Sequence, residues 1–323
     1  VAGLAEALQA ARGGGYVWLD FVDPSRADLE ALIEPLGVHP LSVEDCLDSD
    51  QIPKVEDFQR HSFLILNTFT VEGSKIRVDE VDFILGEGFL VSVSGRTGRD
   101  PGILERLEKT IPLNAADIGK GPDFLMHLLL EYVVDGKSKA LEAMMGEIDA
   151  AEEHILKDRP AFDLNTLVRL RRQLLVLRKS LFHEREVMIK ICRRDSPFIG
   201  EKSVYRYRDV YDHLAKFFAQ VEISREMLLS LMETHLSLVN NRMAAVAHRT
   251  NVSVRRLTLI TTIFMPLSLV AGIGGMSEWS MITGPENWKA AYSSLLVCMA
   301  VMGAATYSIL RWMEARSRRS DKG

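Results

Sequence analysis

The chain has 323 residues, of which 47% are hydrophobic, and a formal net charge of −5. Its length predicts more than one folded unit, and its acidic balance argues against a general nucleic-acid-binding protein. The three cysteines, Cys46, Cys192 and Cys298, are far apart and odd in number, which favours free thiols of a reducing compartment. The eight histidines have no metal-ligand spacing, and glycines 13–15 lack the strand–turn–helix context of a phosphate loop, so no enzyme is predicted.

Residues 1–121 predict a cytosolic α/β domain. Runs rich in β-branched and aromatic residues predict strands at residues 16–21, 62–71, 80–85 and 88–94. Short helices are expected over residues 28–36, ended by Gly37, and over residues 101–111. The breaker Gly119-Lys120-Gly121-Pro122 ends this domain, and residues 1–16 contain no apolar core of a cleavable signal.

Residues 122–200 predict a cytosolic helical hairpin. Apolar residues recur at helical spacing over residues 123–157, Pro160 interrupts the pattern, and leucines at steps of three and four define a second helix over residues 164–194. The first helix carries an acidic stretch and the second a basic one. We interpret both mainly as solvated surfaces, with charge pairing between the two helices as the alternative.

A stalk helix is predicted over residues 201–256. From Glu201 to Met265 there is neither glycine nor proline, so one helix on the order of 100 Å long continues into the segment that follows. Its apolar stripe comprises Val210, Leu214, Phe217, Val221, Leu228, Leu231 and Leu238. A coiled-coil-like seam of this kind needs a partner, which predicts self-association around a central axis.

Two uncharged apolar runs close the chain, at residues 257–277 and 290–310, and each is long enough to cross a bilayer. The flanking basic residues are Arg242, Arg249, Arg255 and Arg256 before the first run, and Arg311, Arg316, Arg318, Arg319 and Lys322 in the tail 311–323. The external loop 278–289 carries Glu278, Glu286 and only one lysine. By the positive-inside rule, both termini are predicted to be cytoplasmic.

The first run contains Pro266, Gly272, Gly274 and Gly275. Proline weakens the helical ladder, and small residues in membrane helices most often serve close packing. A non-helical turn at membrane depth is tolerated where it lines water, and at an oligomer axis it would present a ring of oxygen ligands. Both interpretations of the glycines remain open.

Three motifs, in chain order, resemble the CorA-type divalent-cation channels. They are Val38-His39-Pro40-Leu41-Ser42-Val43-Glu44-Asp45 with Ile52-Pro53-Lys54-Val55-Glu56, then Arg208-Asp209-Val210-Tyr211-Asp212-His213, and Thr262-Ile263-Phe264-Met265-Pro266-Leu267 with Val270-Ala271-Gly272-Ile273. The resemblance implies an α+β membrane protein that forms a homopentameric funnel in the cytoplasmic (inner) membrane. Its first span would line the pore and its second would pack outside.

The resemblance also implies a selectivity filter at the outer pore mouth. The family's Gly-Met-Asn signature corresponds here to Gly275, Met276 and Ser277, with Glu278 and Glu286 nearby at the mouth. Uncharged oxygens that hydrogen-bond to a hydrated ion suit Mg²⁺, which gives up its water reluctantly. Because a serine hydroxyl reaches less far than an amide, selectivity for Mg²⁺ is expected to be relaxed, which keeps Co²⁺, Ni²⁺ and Zn²⁺ open. A zinc-transporting branch, the ZntB-like proteins, also varies this signature.

By the same resemblance, the pore-lining residues are Asn251, Leu257, Thr261, Met265, Ser268 and Gly272. Cytosolic metal is expected to hold the pore closed, with Asp209 as one ligand and Asp79, Glu80 or Asp82 of a neighbouring subunit as the other. Relative to the spacing usual in the family, residues 244–250 form an apparent insertion of about seven residues. Because seven residues make about two helical turns, the residues on either side of the insertion stay on the same face of the helix.

Two alternatives to a cation channel remain. A proton-coupled zinc transporter would need an acidic residue or histidine within a span, and neither predicted span has one. A non-conducting membrane-anchored sensor or scaffold would have no need of polar residues on a pore face. No prosthetic group is expected; divalent cations would be the transported and regulatory ligands.

Overall fold

The computed structural model describes residues 9, 11, 14–48, 51–95, 107, 110–157, 162–193, 196–276, 284 and 286–320, with side chains up to Trp312. The chain divides into two compact units, Val1–His235 and Leu236–Gly323. The domain boundaries expected from sequence at residues 121, 200, 256 and 289 stay predictions. Most of the helix expected over residues 101–111 lies outside the described residues.

The first unit is built on a five-stranded sheet with the strand order β1-β5-β4-β3-β2. The strands are β1 Val17–Val22, β2 Lys54–Asp57, β3 His61–Glu72, β4 Lys75–Gly86 and β5 Phe89–Ser94. Strand β1 runs parallel to β5, and the other neighbours are antiparallel. The four predicted strands are confirmed, whereas β2 was not predicted.

Helices pack on the sheet and extend the chain beyond it. In chain order they are α1 Arg26–Glu30, α2 Ile33–Leu36, α3 Pro40–Leu47, α4 Ala115–Ile118, α5 Pro122–Leu156, α6 Leu164–Cys192, α7 Val204–Gly274 and α8 Trp288–Ser320, with a 3₁₀ turn at Pro112–Asn114. The single helix expected over residues 28–36 is instead two short helices. The first has a capping box between Ser25 and Asp28, and the second ends, as predicted, at Gly37 with φ of 68°.

Helices α1 to α3 cover one face of the sheet with a core that includes Leu29, Leu32 and Phe63. Helix α5 packs on the other face, against β3. A Cβ atom added to Gly136 of α5 would lie 2.9 Å from the carbonyl oxygen of Phe69 in β3, so this close approach of helix to strand requires glycine.

A buried ion pair covers the edge of β3 where β2 ends. Lys54 of β2 pairs with Ile65, the last partnered residue on that side of β3. The backbone N–H of Asn67, two residues further, donates to Glu184 Oε1 of α6 at 2.9 Å, and Lys137 Nζ of α5 donates to the carbonyl oxygen of Asn67. The two charged groups lie 3.2 Å apart, and both side chains are 1% exposed. Side chains from two helices therefore replace the missing strand partner.

The start of α7 is fixed to the start of α5 by hydrogen bonds around Asp123. The Asp123 carboxylate accepts from Ser203 Oγ at 2.6 Å and from the Gly200 backbone N–H at 3.1 Å. The hydroxyl of Tyr207, which is fully buried, donates to the Asp123 carbonyl oxygen at 2.6 Å. Burial, together with the Asp123 charge, raises the Tyr207 pKa well above its usual value.

Helix α7 is one helix of 71 residues, which confirms the prediction that the stalk continues into the first apolar run. The apolar stripe from which self-association was inferred is, however, largely buried within the chain. Val210, Leu214 and Val221 are buried within the single chain, where α6 contributes contacts such as that between Phe182 and Phe218. Because most of this stripe is buried within the chain, its periodicity alone does not require another subunit, and self-association stays a prediction.

Candidate pore-forming membrane helices

Helices α7 and α8 each contain a stretch long and apolar enough to cross a membrane, and these stretches are almost entirely uncovered within the chain. Leu257 is 65% exposed and Met265 is 72% exposed. Exposed apolar surface of this extent is expected to be covered by lipid or by other subunits. The two apolar helices therefore fit a membrane hairpin.

The two helices of this hairpin pack through small residues. A Cβ atom on Gly274 would lie 2.5 Å from Leu295 Cδ2, so glycine is needed for this contact. Further along, Leu267 lies against Gly303, with a distance of 3.9 Å to the position of an added Cβ. A Cβ on Gly272, by contrast, would meet none of the described atoms within 4 Å. Close packing thus accounts for Gly274 but not for Gly272.

The less exposed residues of α7 in this region define the side that faces α8. They are Leu259, Ile263, Pro266, Leu267, Val270 and Gly274. At about 100° per residue, these positions fall within a sector of about 100° on the helix. The opposite side of α7 is exposed in the part of the chain that the structure describes.

The predicted pore residues lie on that opposite side, and all six are exposed. Leu257, Thr261, Met265, Ser268 and Gly272 fall within a sector of about 80°, and Asn251 widens the sector to about 120°. The centre of this sector is roughly 170° from the centre of the side that faces α8. Val254 and Thr258 occupy the same sector and were missed, although they follow Asn251 at the same steps of three and four residues.

The hydroxyl groups in this region are oriented by the backbone. Thr261 Oγ1 donates to the Leu257 carbonyl oxygen at 2.9 Å, and Thr258 Oγ1 donates to that of Val254 at 2.9 Å. Because the hydroxyl proton is used by the helix, the oxygen lone pairs remain to accept hydrogen bonds. Water molecules around a cation point their protons outward, so such oxygens can bind a hydrated cation.

Two apolar positions flank these hydroxyls. Leu257 and Met265 are separated by about 12 Å along the helix axis, with Thr261 between them. Around a symmetric axis, each would form an apolar ring that stops ions by dewetting. Their assignment as constrictions stays a prediction.

The predicted filter begins where α7 ends. The helix ends at Gly274, and the N–H of Gly275 donates to the carbonyl oxygens of Ala271 at 3.0 Å and Gly272 at 3.2 Å. Met276 is exposed and its N–H donates to Ile273 at 3.2 Å. Ser277 and Glu278 lie outside the described residues, and Glu286 is exposed just before α8.

The residues proposed for a regulatory metal site differ greatly in accessibility. The Asp209 side chain is 66% exposed, and its Oδ2 lies 3.6 Å from His213 Nε2. Asp79 is buried and bound to Arg77 Nε at 2.7 Å, and Asp82 is fully buried. Glu80 is half-buried and accepts from the Gln51 N–H at 3.0 Å. A ligand shared with another subunit must be accessible, so Asp79 and Asp82 are poorly suited.

Within the part of the chain that the structure describes, no group of three or more His, Cys, Asp or Glu side chains is arranged to hold a metal ion. This leaves the assignment of Asp209 a prediction.

Comparison with known proteins gives matches over nearly the whole chain. The model of the family described as CorA-like Mg²⁺ transporter protein matches residues 13–312. The cobalt/magnesium transport protein CorA of Thermotoga maritima is 32% identical over 290 residues, which cover 88% of this chain and 79% of that protein.

Two solved structures share the fold. The complete structure of the CorA magnesium transporter from Methanocaldococcus jannaschii matches with a TM-score of 0.66 at 23% identity, covering 92% of this chain and 90% of that one. The full-length CmaX protein matches with a TM-score of 0.64 at 20% identity, covering 92% and 89%. Together with the sequence match over residues 13–312, these findings show that the chain belongs to the CorA-like Mg²⁺ transporter family.

Proposed function

We propose that this protein transports divalent cations, with Mg²⁺ as the main ion, across the cytoplasmic membrane through a homopentameric pore. The observation that carries the proposal is the division of α7 into two opposite sides. One side packs on α8, and the other presents hydroxyls between two apolar positions and is exposed among the residues that the structure describes. Family membership supports the same function.

The orientation of the hairpin follows from its charges. Arg255 and Arg256 precede the first apolar run and Arg311 follows the second, whereas the connecting segment carries Glu278 and Glu286. Positive charge marks the cytoplasmic side, so both termini are cytoplasmic and the loop is external. The acidic residues of the loop would then concentrate cations at the outer mouth.

Ion selection is assigned to Gly275, Met276 and Ser277 at the outer end of α7. A hydrated Mg²⁺ would be held through its water shell by backbone carbonyl and serine oxygens. Since Ser277 has a shorter side chain than the asparagine of the family signature, a ring of five such serines would be wider than a ring of asparagines. Co²⁺, Ni²⁺ and Zn²⁺ are therefore expected to pass as well.

Cytosolic metal would regulate the pore through Asp209. An ion that binds only the closed state stabilises that state by mass action. Asp209 is exposed near the start of α7, as a ligand shared with a neighbouring subunit would have to be. Of Asp79, Glu80 and Asp82, Glu80 is the accessible candidate for the partner ligand.

Thiol accessibility on two sides of α7 tests the proposed pore. In a Cys298→Ser background, Thr261→Cys places a thiol on the proposed pore side, and Ile263→Cys places one at nearly the same depth on the side facing α8. A positively charged methanethiosulfonate reagent is expected to block Mg²⁺ uptake into proteoliposomes by the first variant and not by the second. Equal block of both variants, or block of the second alone, would contradict the assignment of the pore face.

A further inference from the structure

The packing of α7 on α8 brings two groups of basic residues to one end of the hairpin. Gly274 contacts Leu295, and Leu267 contacts Gly303, so the two helices are antiparallel. Residues nearer the start of α7 therefore lie beside residues nearer the end of α8, with about the same number of residues between contacts on each helix. Continued at 1.5 Å per residue on both helices, this antiparallel register places Leu257 level with about residue 313. Arg255 and Arg256 of α7 therefore lie near the level of Arg311 of α8.

The charged residues at this end of the hairpin are predominantly basic. Residues 234–276 contain no aspartate or glutamate, while Arg255 and Arg256 stand directly before the apolar run and are exposed. Arg311 is exposed, and the residues after it carry four more basic side chains against Glu314 and Asp321. We call Arg255, Arg256 and Arg311 the basic belt.

We propose that the basic belt binds the phosphate groups of anionic lipids in the surrounding bilayer. Its three guanidinium groups border the apolar stretches, which is the depth at which lipid phosphates lie. A guanidinium matches a phosphate through paired hydrogen bonds, so recognition does not depend on net charge alone. Trp312, next to Arg311, is a residue type enriched at this interface.

Distance from the membrane separates the basic belt from the other arginines of α7. Arg255 and Arg256 precede Leu257 by about 3 Å or less along the helix axis, whereas Arg242 precedes it by about 22 Å. The Debye length at physiological ionic strength is about 8 Å. Anionic lipid is therefore bound by the basic belt and is out of reach of Arg242.

A nucleic acid is the other polyanion that an arginine cluster can bind. The net charge of −5 for the whole chain and the position of the cluster at the border of two membrane spans both favour lipid. The binding surface is independent of transport, so the proposal stands or falls separately from the proposed function.

Spin-labelled lipids measure the preference directly. The full-length protein is reconstituted in phosphatidylcholine vesicles with trace spin-labelled phosphatidylglycerol or phosphatidylcholine, and the motionally restricted fraction of each label gives their relative association constant. Each arginine near an anionic surface strengthens binding by roughly fivefold. The measured association constant is an average over all lipids around the protein. Arg255→Gln/Arg256→Gln is expected to lower the association constant of phosphatidylglycerol relative to phosphatidylcholine by about half or more.

Two further variants make the experiment decisive. Arg242→Gln removes the same charge from the same helix far from the membrane and is expected to leave the preference unchanged. Arg255→Lys/Arg256→Lys keeps the charge but not the paired hydrogen bonds, so it is expected to restore part of the preference, which excludes misfolding as the cause of the loss. The proposal is overturned if the double glutamine variant keeps the wild-type preference, if Arg242→Gln lowers it equally, or if the lysine pair restores none of it.

Discussion

The buried pair of Lys137 and Glu184 is predicted to be a principal determinant of the stability of the first unit. Burial lowers the pKa of Lys137 and raises the pKa of Glu184, while the attraction between the two charges opposes both shifts. The pair also satisfies both backbone groups of Asn67 at the edge of β3. Removing one partner leaves a charged group in the core and a backbone group of Asn67 without its partner.

The magnitude follows from this arrangement. Breaking a buried ion pair by removing one partner costs about 3–5 kcal/mol of unfolding free energy, so Lys137→Met is expected to fall in that range. In Lys137→Met/Glu184→Gln no charge remains, and the glutamine oxygen can still accept from Asn67. Adding the losses of unfolding free energy measured for Lys137→Met and Glu184→Gln gives the value expected without coupling. The double variant is expected to lose less than this sum, by about 2 kcal/mol or more.

The assay is urea unfolding of the full-length protein in detergent, followed by far-UV circular dichroism. Lys157→Met is the matched control, because Lys157 forms an ion pair with Glu153 in which both side chains are 56% exposed. That variant is expected to lose at most about 0.5 kcal/mol. Strict additivity in the double variant, or a loss for Lys137→Met no larger than that of Lys157→Met, would refute the reasoning.

Four further predictions follow from individual residues. Gly136→Ala places a Cβ atom 2.9 Å from the Phe69 carbonyl oxygen and is expected to lower the free energy of unfolding by about 1–3 kcal/mol. The control Gly146→Ala, whose Cβ would meet none of the described atoms within 4 Å, is expected to raise that free energy slightly. Burial lowers the His61 pKa to about 4, so between about pH 6.5 and pH 4 only the unfolded state gains the proton, and the folded state loses stability as pH falls. In urea titrations over this pH range, His61→Gln should lose up to about 3 kcal/mol less unfolding free energy than the wild type does. Asp209→Ala should relieve inhibition of uptake by internal divalent ions, and unchanged inhibition would remove Asp209 from the regulatory site. Glu278→Gln should reduce uptake at low ion concentration and low salt, and an effect that persists in high salt would contradict an electrostatic role.

The strands of the sheet were predictable where side chains alternate or cluster over a long run, as in β3 and β4. Strand β2 was missed because Lys54-Val55-Glu56-Asp57 is short and mostly charged, and only its pairing with β3 makes it a strand. Helix α3 was missed although it has recognisable signals, a His39 cap and proline at its first position.

The sequence pattern of α7 predicted a continuous helix but could not identify what covers it. An apolar stripe at residues such as Val210 and Val221 has the same periodicity whether another subunit or the same chain packs on it. In the membrane half, spacing alone predicted that Thr261 and Met265 share a face. That this face lies opposite α8 depends on where α8 packs, which no local pattern contains.

The central claim, that this protein transports divalent cations, is tested most directly by uptake into proteoliposomes. Purified protein of known oligomeric state is reconstituted, and uptake of Mg²⁺, Co²⁺, Ni²⁺ and Zn²⁺ is measured with and without an inside-negative potential. We expect Mg²⁺ uptake that increases with the potential, accompanied by slower uptake of the other ions. Uptake of Zn²⁺ driven only by a proton gradient would favour a proton-coupled transporter, and no uptake of any ion by assembled pentamers would contradict transport and favour a membrane-anchored scaffold.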